Sequence, residues 1–245
     1  EQDSLIFSAA FMKFSEMDYQ VANDAFNKYL QKFEKGIFMM DATYYYAISS
    51  LKLGDTISAI NSYKKILESN SSSFKENSLI FLARRSYNLN DYTQSNIYYM
   101  KLLEFASSNA IKRETIIRLM ICNEFSDSIM ALKYAKQVLE IEKIDNWLLS
   151  KAYIIIARDE FSSGNYAKSK STFKLVSELS SYDEGAEAKY YLAFLTYLDD
   201  DLALAEQLIF ALAENYSNDH FIAKSFILLS DIYLAQGNNF QAKAT

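Results

Sequence analysis

The 245-residue sequence contains no proline, one cysteine, one histidine and only five glycines. Because proline inside a helix costs about 3 kcal/mol, its absence is typical of a largely helical chain. A lone cysteine, Cys122, excludes an internal disulfide, and with only His220 beside it the chain lacks the nitrogen and sulfur donors of a zinc site. The glycines are scattered singly, so there is no phosphate-binding loop. The sequence therefore predicts neither an enzyme nor a cofactor.

Positive charge is also scarce, and this limits the classes of partner. The formal net charge is −6 and the isoelectric point is near 5.0, which argues against a nucleic-acid backbone as the principal partner. No segment approaches the ~20 apolar residues that span a bilayer, so we expect no direct membrane insertion. Half of the residues are hydrophobic, which is ample for a packed core and argues against disorder.

Pairs of small residues twelve positions apart recur along the whole chain. Successive pairs lie 36 to 38 residues apart, and a period in this range predicts a solenoid of repeats. The seven pairs, of which only the fourth breaks the rule with a leucine, are Ala10/Ala22, Ala47/Ala59, Ala83/Ser95, Leu119/Ala131, Ala157/Ser169, Ala193/Ala205 and Ser230/Ala242. Where two helices cross closely, both need a small residue at the contact.

Each repeat is predicted to be a helix, a tight turn and a second helix. In the second repeat, apolar residues at helical spacing run to Leu53, and a second periodic run begins after Gly54 and Asp55. We expect Gly54, Gly164 and Gly237 at turns within repeats, and Gly36 and Gly185 between repeats. Polar clusters such as 70–73 are expected to mark the other junctions between repeats.

These features resemble the tetratricopeptide repeat. The resemblance rests on the small residues twelve apart, the Gly-Asp/Asn-Tyr turn, and an aromatic residue four positions beyond the second small residue. It implies an all-α, right-handed α-solenoid of six complete helix pairs and a partial seventh. The chain would then be one array, with repeats at about 3–37, 38–73, 74–108, 109–145, 146–182, 183–218 and a truncated 219–245.

The style of the repeats narrows the resemblance. With their long period and their many tyrosines and asparagines, these repeats are similar to the repeats of bacterial cell-envelope proteins. This implies a periplasmic location, associated with the outer membrane in some cases, with the cytoplasm as the alternative. The chain begins without methionine and stops within a predicted helix, so we expect a removed export signal or a trimmed start, and a continuation after Thr245.

A basic stripe is predicted on the first helices of the central repeats. All five arginines fall on the first helices of repeats three to five, and by resemblance Arg84, Arg113, Lys151 and Arg158 face a concave groove. Arginine recognises carboxylates through a planar fork of donors, so the stripe suits an acidic peptide or a C-terminal carboxylate. The alternative is that these cations pair with local acids, namely Glu114, Glu124, Asp159 and Glu160.

Aromatic residues on first helices are the second candidate groove feature. Tyr44, Tyr87 and Phe194 would anchor an extended peptide if they are exposed, or belong to the core if they are not. The sequence therefore predicts a non-enzymatic scaffold that binds a protein segment on its concave face. The alternatives are a carrier of a non-protein ligand such as a glycan, and a repeat module attached to an enzymatic domain.

Overall fold

The computed structural model describes residues 2–70 and 73–245, and within them it contains fourteen α-helices and no strand. The all-α helical-repeat class predicted from the sequence is confirmed. The helices are α1 (Gln2–Ser15), α2 (Tyr19–Lys32), α3 (Met39–Lys52), α4 (Thr56–Glu68), α5 (Lys75–Asn88), α6 (Tyr92–Phe105), α7 (Asn109–Asn123), α8 (Ser128–Leu139), α9 (Asn146–Ser162), α10 (Tyr166–Leu179), α11 (Asp183–Leu198), α12 (Leu202–Asn215), α13 (Asp219–Ala235) and α14 (Asn239–Ala244).

The chain forms two compact units, Glu1–Thr115 and Ile116–Thr245, and the boundary falls inside α7. We call them unit 1 and unit 2. In both units a first helix with an odd number packs against the even-numbered second helix that follows it, in the helical hairpins α1/α2, α3/α4, α5/α6, α9/α10, α11/α12 and α13/α14. A single array over residues 1–245 stays a prediction.

The turns within hairpins have the backbone conformation that their residue types favour. Gly54 has a φ of 84° and Asn90 a φ of 58°, so both adopt the left-handed conformation that ends a helix. Asp55 and Asp91 follow, and the carboxylate of each accepts a hydrogen bond from the backbone N–H three residues later, at 3.0 Å. This bond caps the second helix of the hairpin.

The small pairs lie where the two helices of a hairpin touch. Ala47, Ala59, Ala83 and Ser95 are completely buried. Three serine members add a hydrogen bond across the contact: Ser95 donates to Ala83, Ser169 to Ala157 and Ser230 to Ala242, at 2.9 to 3.1 Å between hydroxyl and carbonyl oxygens. A backbone carbonyl can be reached in this way only if the helix axes approach closely, as the twelve-residue pattern predicts.

Larger apolar side chains fill the space around each small contact. In unit 1, Phe26 and Tyr29 of α2 are fully buried against Phe7 and Phe14 of α1 and Tyr45 of α3. In unit 2, Ile209 of α12 and the α13 residues Leu229 and Ile232 form the corresponding core. The second helices α2, α4, α8, α10 and α12 thus share one face with the next first helix, which leaves the other faces of those first helices to form a surface.

One predicted feature differs in the structure, and another includes residues that the structure does not describe. Gly185 is not between repeats: it lies in the first turn of α11, where a Cβ atom would come within 1.9 Å of the carbonyl oxygen of Ser180. Glycine is required there by the close approach of the backbone. The predicted junction at 70–73 includes Ser71 and Ser72, which lie outside the described residues.

Candidate functional site

Unit 1 carries an open cavity of about 530 Å³ on the face of its first helices α3 and α5. Its lining residues on α5 recur every three or four positions and therefore lie along one side of that helix. The cavity is lined by Tyr44, Asn77, Ile80, Phe81, Arg84, Arg85, Asn88 and Leu89. It therefore combines an aromatic and aliphatic wall with two guanidinium groups and two amides.

Arg84, a predicted groove residue, lines this cavity but is already paired. Its Nε and Nη2 atoms donate to the two carboxylate oxygens of Glu114, at 2.7 and 2.5 Å. Hydrogen bonding to Glu114 raises the pKa of the guanidinium. The Arg84 side chain is half exposed, so the pair is a surface ion pair whose two charges cancel.

Arg85, the next residue, differs from Arg84 in having no counter-ion. Among residues 2–70 and 73–245, the Arg85 guanidinium makes no ion pair and no hydrogen bond, and it is only partly exposed. The side-chain amide of Asn88, one turn further along α5, is likewise without a hydrogen-bond partner in that part of the chain. Arg85 therefore supplies the cavity with its uncompensated positive charge.

Tyr44 forms the opposite wall and is held in place by two contacts. Its ring stacks on Phe74 with a centroid distance of 4.2 Å and an interplanar angle of 12°. Its hydroxyl accepts a hydrogen bond of 3.1 Å from the side-chain amide of Asn77. Partial burial raises the pKa of Tyr44 above its ordinary value. One ring face is thus covered by Phe74, and the tyrosine is rigid.

The predicted basic residues of unit 2 lie in a network of charges instead of an open cavity. Arg158 donates to both carboxylate oxygens of Glu187, at 2.7 and 2.6 Å, and to Glu124 at 3.0 Å. Lys151 contacts Glu184 at 2.5 Å and Glu124 at 3.5 Å. Glu124 therefore joins the two cations of α9, and the other two acids come from α11.

Burial distinguishes this network from the Arg84 pair. The carboxylate side chains of Glu124, Glu184 and Glu187 are only 4, 7 and 10% exposed. Burial alone would lower the pKa of Arg158, but its hydrogen bonds to Glu187 and the charges of Glu187 and Glu124 outweigh that effect and raise it. The pKa of Lys151 is raised for the same reason, with Glu184 as its main partner. Both cations are neutralised by the acids around them.

The remaining predicted groove residues are on first helices but do not join the cavity. The Tyr87 ring of α5 meets Tyr92 edge to face at 5.4 Å, and the Phe194 ring of α11 packs on Phe161 at 6.1 Å and Tyr190 at 6.4 Å. Phe194 thus belongs partly to the core of unit 2. Arg113 is exposed on α7.

The structure places the other chemically reactive side chains in ordinary roles. Cys122 is buried, and His220 is exposed with its ring edge against Phe221. Asp201 caps α12 by accepting a hydrogen bond of 3.1 Å from the Leu204 N–H. A search of the described residues finds no cluster of three or more histidine, cysteine or acidic side chains that could hold a metal ion. It also finds no helix long and apolar enough to cross a bilayer.

Sequence analysis did not single out Arg85 or Asn88, although a signal was present. Asn77, Phe81 and Arg85 are four residues apart, and Asn88 is one turn further, so they share one side of a helix. Of the two adjacent arginines, the resemblance placed Arg84 in the groove and gave Arg85 no role. Only the coordinates show which of the two adjacent arginines is paired.

Comparisons with known proteins find solved structures that are similar to this chain at low sequence identity. No protein-family model matches the chain, and no curated protein is similar to it in sequence. Several solved structures are similar in fold. A tetratricopeptide repeat protein from Parabacteroides merdae is 16% identical, with 99% of this chain and 90% of that chain covered and a TM-score of 0.46.

Two further solved structures cover most of the chain. PilW, a type IV pilus biogenesis factor, is 17% identical over 91% of this chain and 98% of that chain, with a TM-score of 0.42. A Rap protein in complex with competence and sporulation factor is 14% identical over 100% of this chain and 74% of that chain, with a TM-score of 0.46. At TM-scores below 0.5 these similarities carry no inference about function.

Proposed function

We propose that this tetratricopeptide-type protein is a non-enzymatic scaffold, and that the cavity of unit 1 binds a segment of a partner protein. The observation that carries the proposal is the unpaired Arg85 in a cavity otherwise walled by Tyr44, Ile80 and Phe81. A cation beside an apolar wall matches a peptide that presents an apolar side chain next to a carboxylate. Rigid aromatic and arginine side chains are also the residues that most often dominate binding energy.

The anionic group of the ligand is assigned to Arg85. A guanidinium binds a carboxylate through two parallel N–H donors, and Arg85 has these donors available because no acid engages them. Arg84 supports the site differently: its ion pair with Glu114 holds the Arg84 side chain at the cavity and adds no net charge. The ligand carboxylate comes from an acidic side chain or from a chain terminus.

The Lys151 and Arg158 network has a structural role in this proposal. Its donors are taken up by three buried carboxylates, so a ligand carboxylate would have to displace one of them. Removing a buried carboxylate from its partner is costly. Of the basic stripe expected from the sequence, Arg84, Lys151 and Arg158 are thus engaged by acids of the chain itself.

A glycan is the weaker candidate ligand for the same cavity. Sugars stack on open aromatic faces, whereas Tyr44 already has Phe74 against one face and its hydroxyl is bonded to Asn77. A location in the bacterial cell envelope accompanies the proposal. It is supported by the style of the repeats, and the cytoplasm is the alternative.

The proposal is tested by selecting ligands from a random peptide display library on the immobilised protein. We expect the enriched peptides to share an apolar residue next to an acidic residue or a free C-terminus. The same selection on Arg85→Gln should lose that motif, whereas Lys64→Gln, an exposed lysine on α4, should retain it. Enrichment of identical peptides on all three proteins, or of none on the wild type, would refute a peptide site at Arg85.

A further inference from the structure

A second surface lies at the end of unit 1 where the turns within hairpins meet. It consists of the three turns 16–18, 53–55 and 89–91 and the first residues of the helices that follow them, and we call it the turn edge. Consecutive hairpins place these turns at the same end of the unit, because first and second helices alternate in direction. The ammonium of Lys52, at the end of α3, lies 5.9 Å from the centre of the Tyr19 ring, at the start of α2.

Large apolar side chains are exposed along this edge. Six of them have between 39 and 74% of their surface accessible: Met17, Val21, Leu53, Ile57, Leu89 and Tyr92. Single exposed apolar residues are common in soluble proteins, but a row of them on one edge of a unit is typical of an interaction site.

Other hairpins of the same chain show that the fold does not require these apolar residues. Leu53 and Leu89 are the residues directly after α3 and α5. The corresponding residues after α9, α11 and α13 are Ser163, Asp199 and Gln236. The turn therefore forms equally well with a polar residue at this position, and the leucines of unit 1 need another explanation.

A similar contrast occurs at the second position of the following helix. Ile57 is two residues before the small residue Ala59, and it is 74% exposed. The matching residues are Gln20, Thr93, Ala167 and Ala203 in the first, third, fifth and sixth hairpins, and the exposed Ile129 and Phe240 in the fourth and seventh. Because a small residue suffices there, the isoleucine side chain contributes exposed apolar area that the hairpin does not use.

The charges of the turn edge indicate the chemistry of its partner. The three turns contain four acidic residues, Glu16, Asp18, Asp55 and Asp91. Lys13 pairs with Glu16 at 2.8 Å and Lys52 lies over the Tyr19 ring, so the three aspartates carry the excess of negative charge. Each aspartate uses one carboxylate oxygen to cap a helix and is exposed, so its charge remains available at the surface. Hydrogen bonds from Ser58 lower the pKa of Asp55, which keeps it ionised. The edge thus alternates apolar side chains with negative charges.

We propose that the turn edge of unit 1 binds a basic amphipathic segment of another protein. Leucine, isoleucine or phenylalanine side chains of that segment would cover Leu53, Ile57 and their neighbours, and its lysines or arginines would face the aspartates. An anionic lipid surface has the wrong charge for this edge. A second copy of the chain has an excess of acids of its own, with a net charge of −6.

The test uses a fluorescent amphipathic peptide with one leucine face and one lysine face, and a matched peptide with glutamate in place of lysine. Fluorescence anisotropy should show binding of the lysine peptide and not of the glutamate peptide. The double variant Leu53→Ser/Ile57→Ala, which installs residue types found in the later hairpins, should weaken binding at least about tenfold. The matched control Leu198→Ser/Leu204→Ala, at exposed positions of unit 2, should leave it unchanged.

A second set of variants separates charge from apolar contact. Asp18→Asn, Asp55→Asn and Asp91→Asn together keep the capping acceptors, because asparagine caps helices as well as aspartate does. This triple variant should fold normally and lose most of the salt dependence of peptide binding. Neither set of variants changes Arg85, so the proposal for the turn edge and the proposal for the cavity can be refuted independently.

Several results would overturn the proposal. These are unchanged affinity of the lysine peptide for Leu53→Ser/Ile57→Ala, equal binding of the glutamate peptide, and unchanged salt dependence in the aspartate variant. Two others assign the edge to a different occupant: binding to vesicles of anionic phospholipid that the double variant abolishes, or a dimer in light scattering that the double variant dissociates.

Discussion

The Ser95 hydroxyl donates a hydrogen bond of 3.1 Å to the backbone carbonyl of Ala83, twelve residues earlier on the other helix of its hairpin. Both residues are completely buried, and no space remains at this contact for a larger side chain. The same contact is made by Ser169 with Ala157 and by Ser230 with Ala242. The twelve-residue spacing in the sequence is thus the signature of a direct contact between two helices.

Enlarging a residue at these contacts should destabilise the protein. We expect Ala59→Leu and Ala193→Leu each to lower the free energy of unfolding by about 1–3 kcal/mol, because overpacking forces the two helices apart. Urea unfolding measures the effect. Ser62→Leu is unsuitable as a neutral control, because Ser62 is only 9% exposed and its hydroxyl donates to the backbone carbonyl of Ser58. Asn61→Leu, on the exposed side of α4, is the better control, and an equal loss in that variant would contradict the assigned contacts.

The two paired arginines should respond differently to substitution. Arg158→Met leaves Glu187 buried without a counter-ion and Glu124 with only Lys151, at 3.5 Å, and we expect a loss of roughly 3–5 kcal/mol in the free energy of unfolding. Arg84→Met breaks a half-exposed pair and should cost no more than about 1 kcal/mol.

Unfolding in urea at two salt concentrations provides the measurement for both arginine variants. The contribution of the Arg84 pair should shrink in high salt and that of Arg158 should not, because a surface pair is screened far more than a buried one. Equal losses in the two variants would show that the unit 2 network is as accessible to water as the surface pair.

The free energy of unfolding should fall at alkaline pH because Tyr63 ionises more readily in the unfolded chain than in the folded one. Burial raises the pKa of this tyrosine to about 12, from an ordinary value near 10. Between pH 10 and 12 the unfolded chain releases the Tyr63 proton while the folded chain retains it, so folding becomes less favourable as the pH rises. The contribution of neutral Tyr63 to stability is fully present below pH 10.

The variant Tyr63→Phe isolates this effect. Relative to its own stability at pH 9, it should lose less free energy of unfolding at pH 11 than the wild type, by on the order of 1 kcal/mol. Tyr92→Phe, at an exposed position, serves as the matched control and should behave as the wild type does. Parallel pH profiles for all three proteins would show that Tyr63 is accessible to solvent in the folded state.

The sequence predicted the hairpins well because their determinants are local and recur. A small residue, a left-handed turn residue and a capping aspartate occur within about one helix of each other, as at Ala47, Gly54 and Asp55. Recurrence over several repeats then separates such a pattern from chance. The class of fold and the position of most helices follow directly from it.

The candidate site was less accessible to sequence analysis, because pairing depends on residues far apart in the chain. Glu114 lies thirty positions after Arg84, and Glu187 twenty-nine after Arg158, so proximity in sequence could not reveal these partners. The alternative that local acids neutralise the arginines named Glu114 and Glu124 and missed Glu187. Gly185 was misplaced for a related reason, since its requirement comes from the nearby Ser180 carbonyl and not from a turn.

The affinity of a selected acidic peptide for the wild type and Arg85→Gln, measured by calorimetry, tests the central claim most directly. Loss of a charge-assisted hydrogen bond is worth about 1.5–3 kcal/mol, so we expect the affinity to fall roughly 10- to 100-fold, with Lys64→Gln unchanged. Replacing the peptide carboxylate by an amide should cost as much with the wild type and almost nothing with Arg85→Gln. Equal affinities for the wild type and Arg85→Gln, or an equal penalty for the amide in both proteins, would contradict a carboxylate site at Arg85.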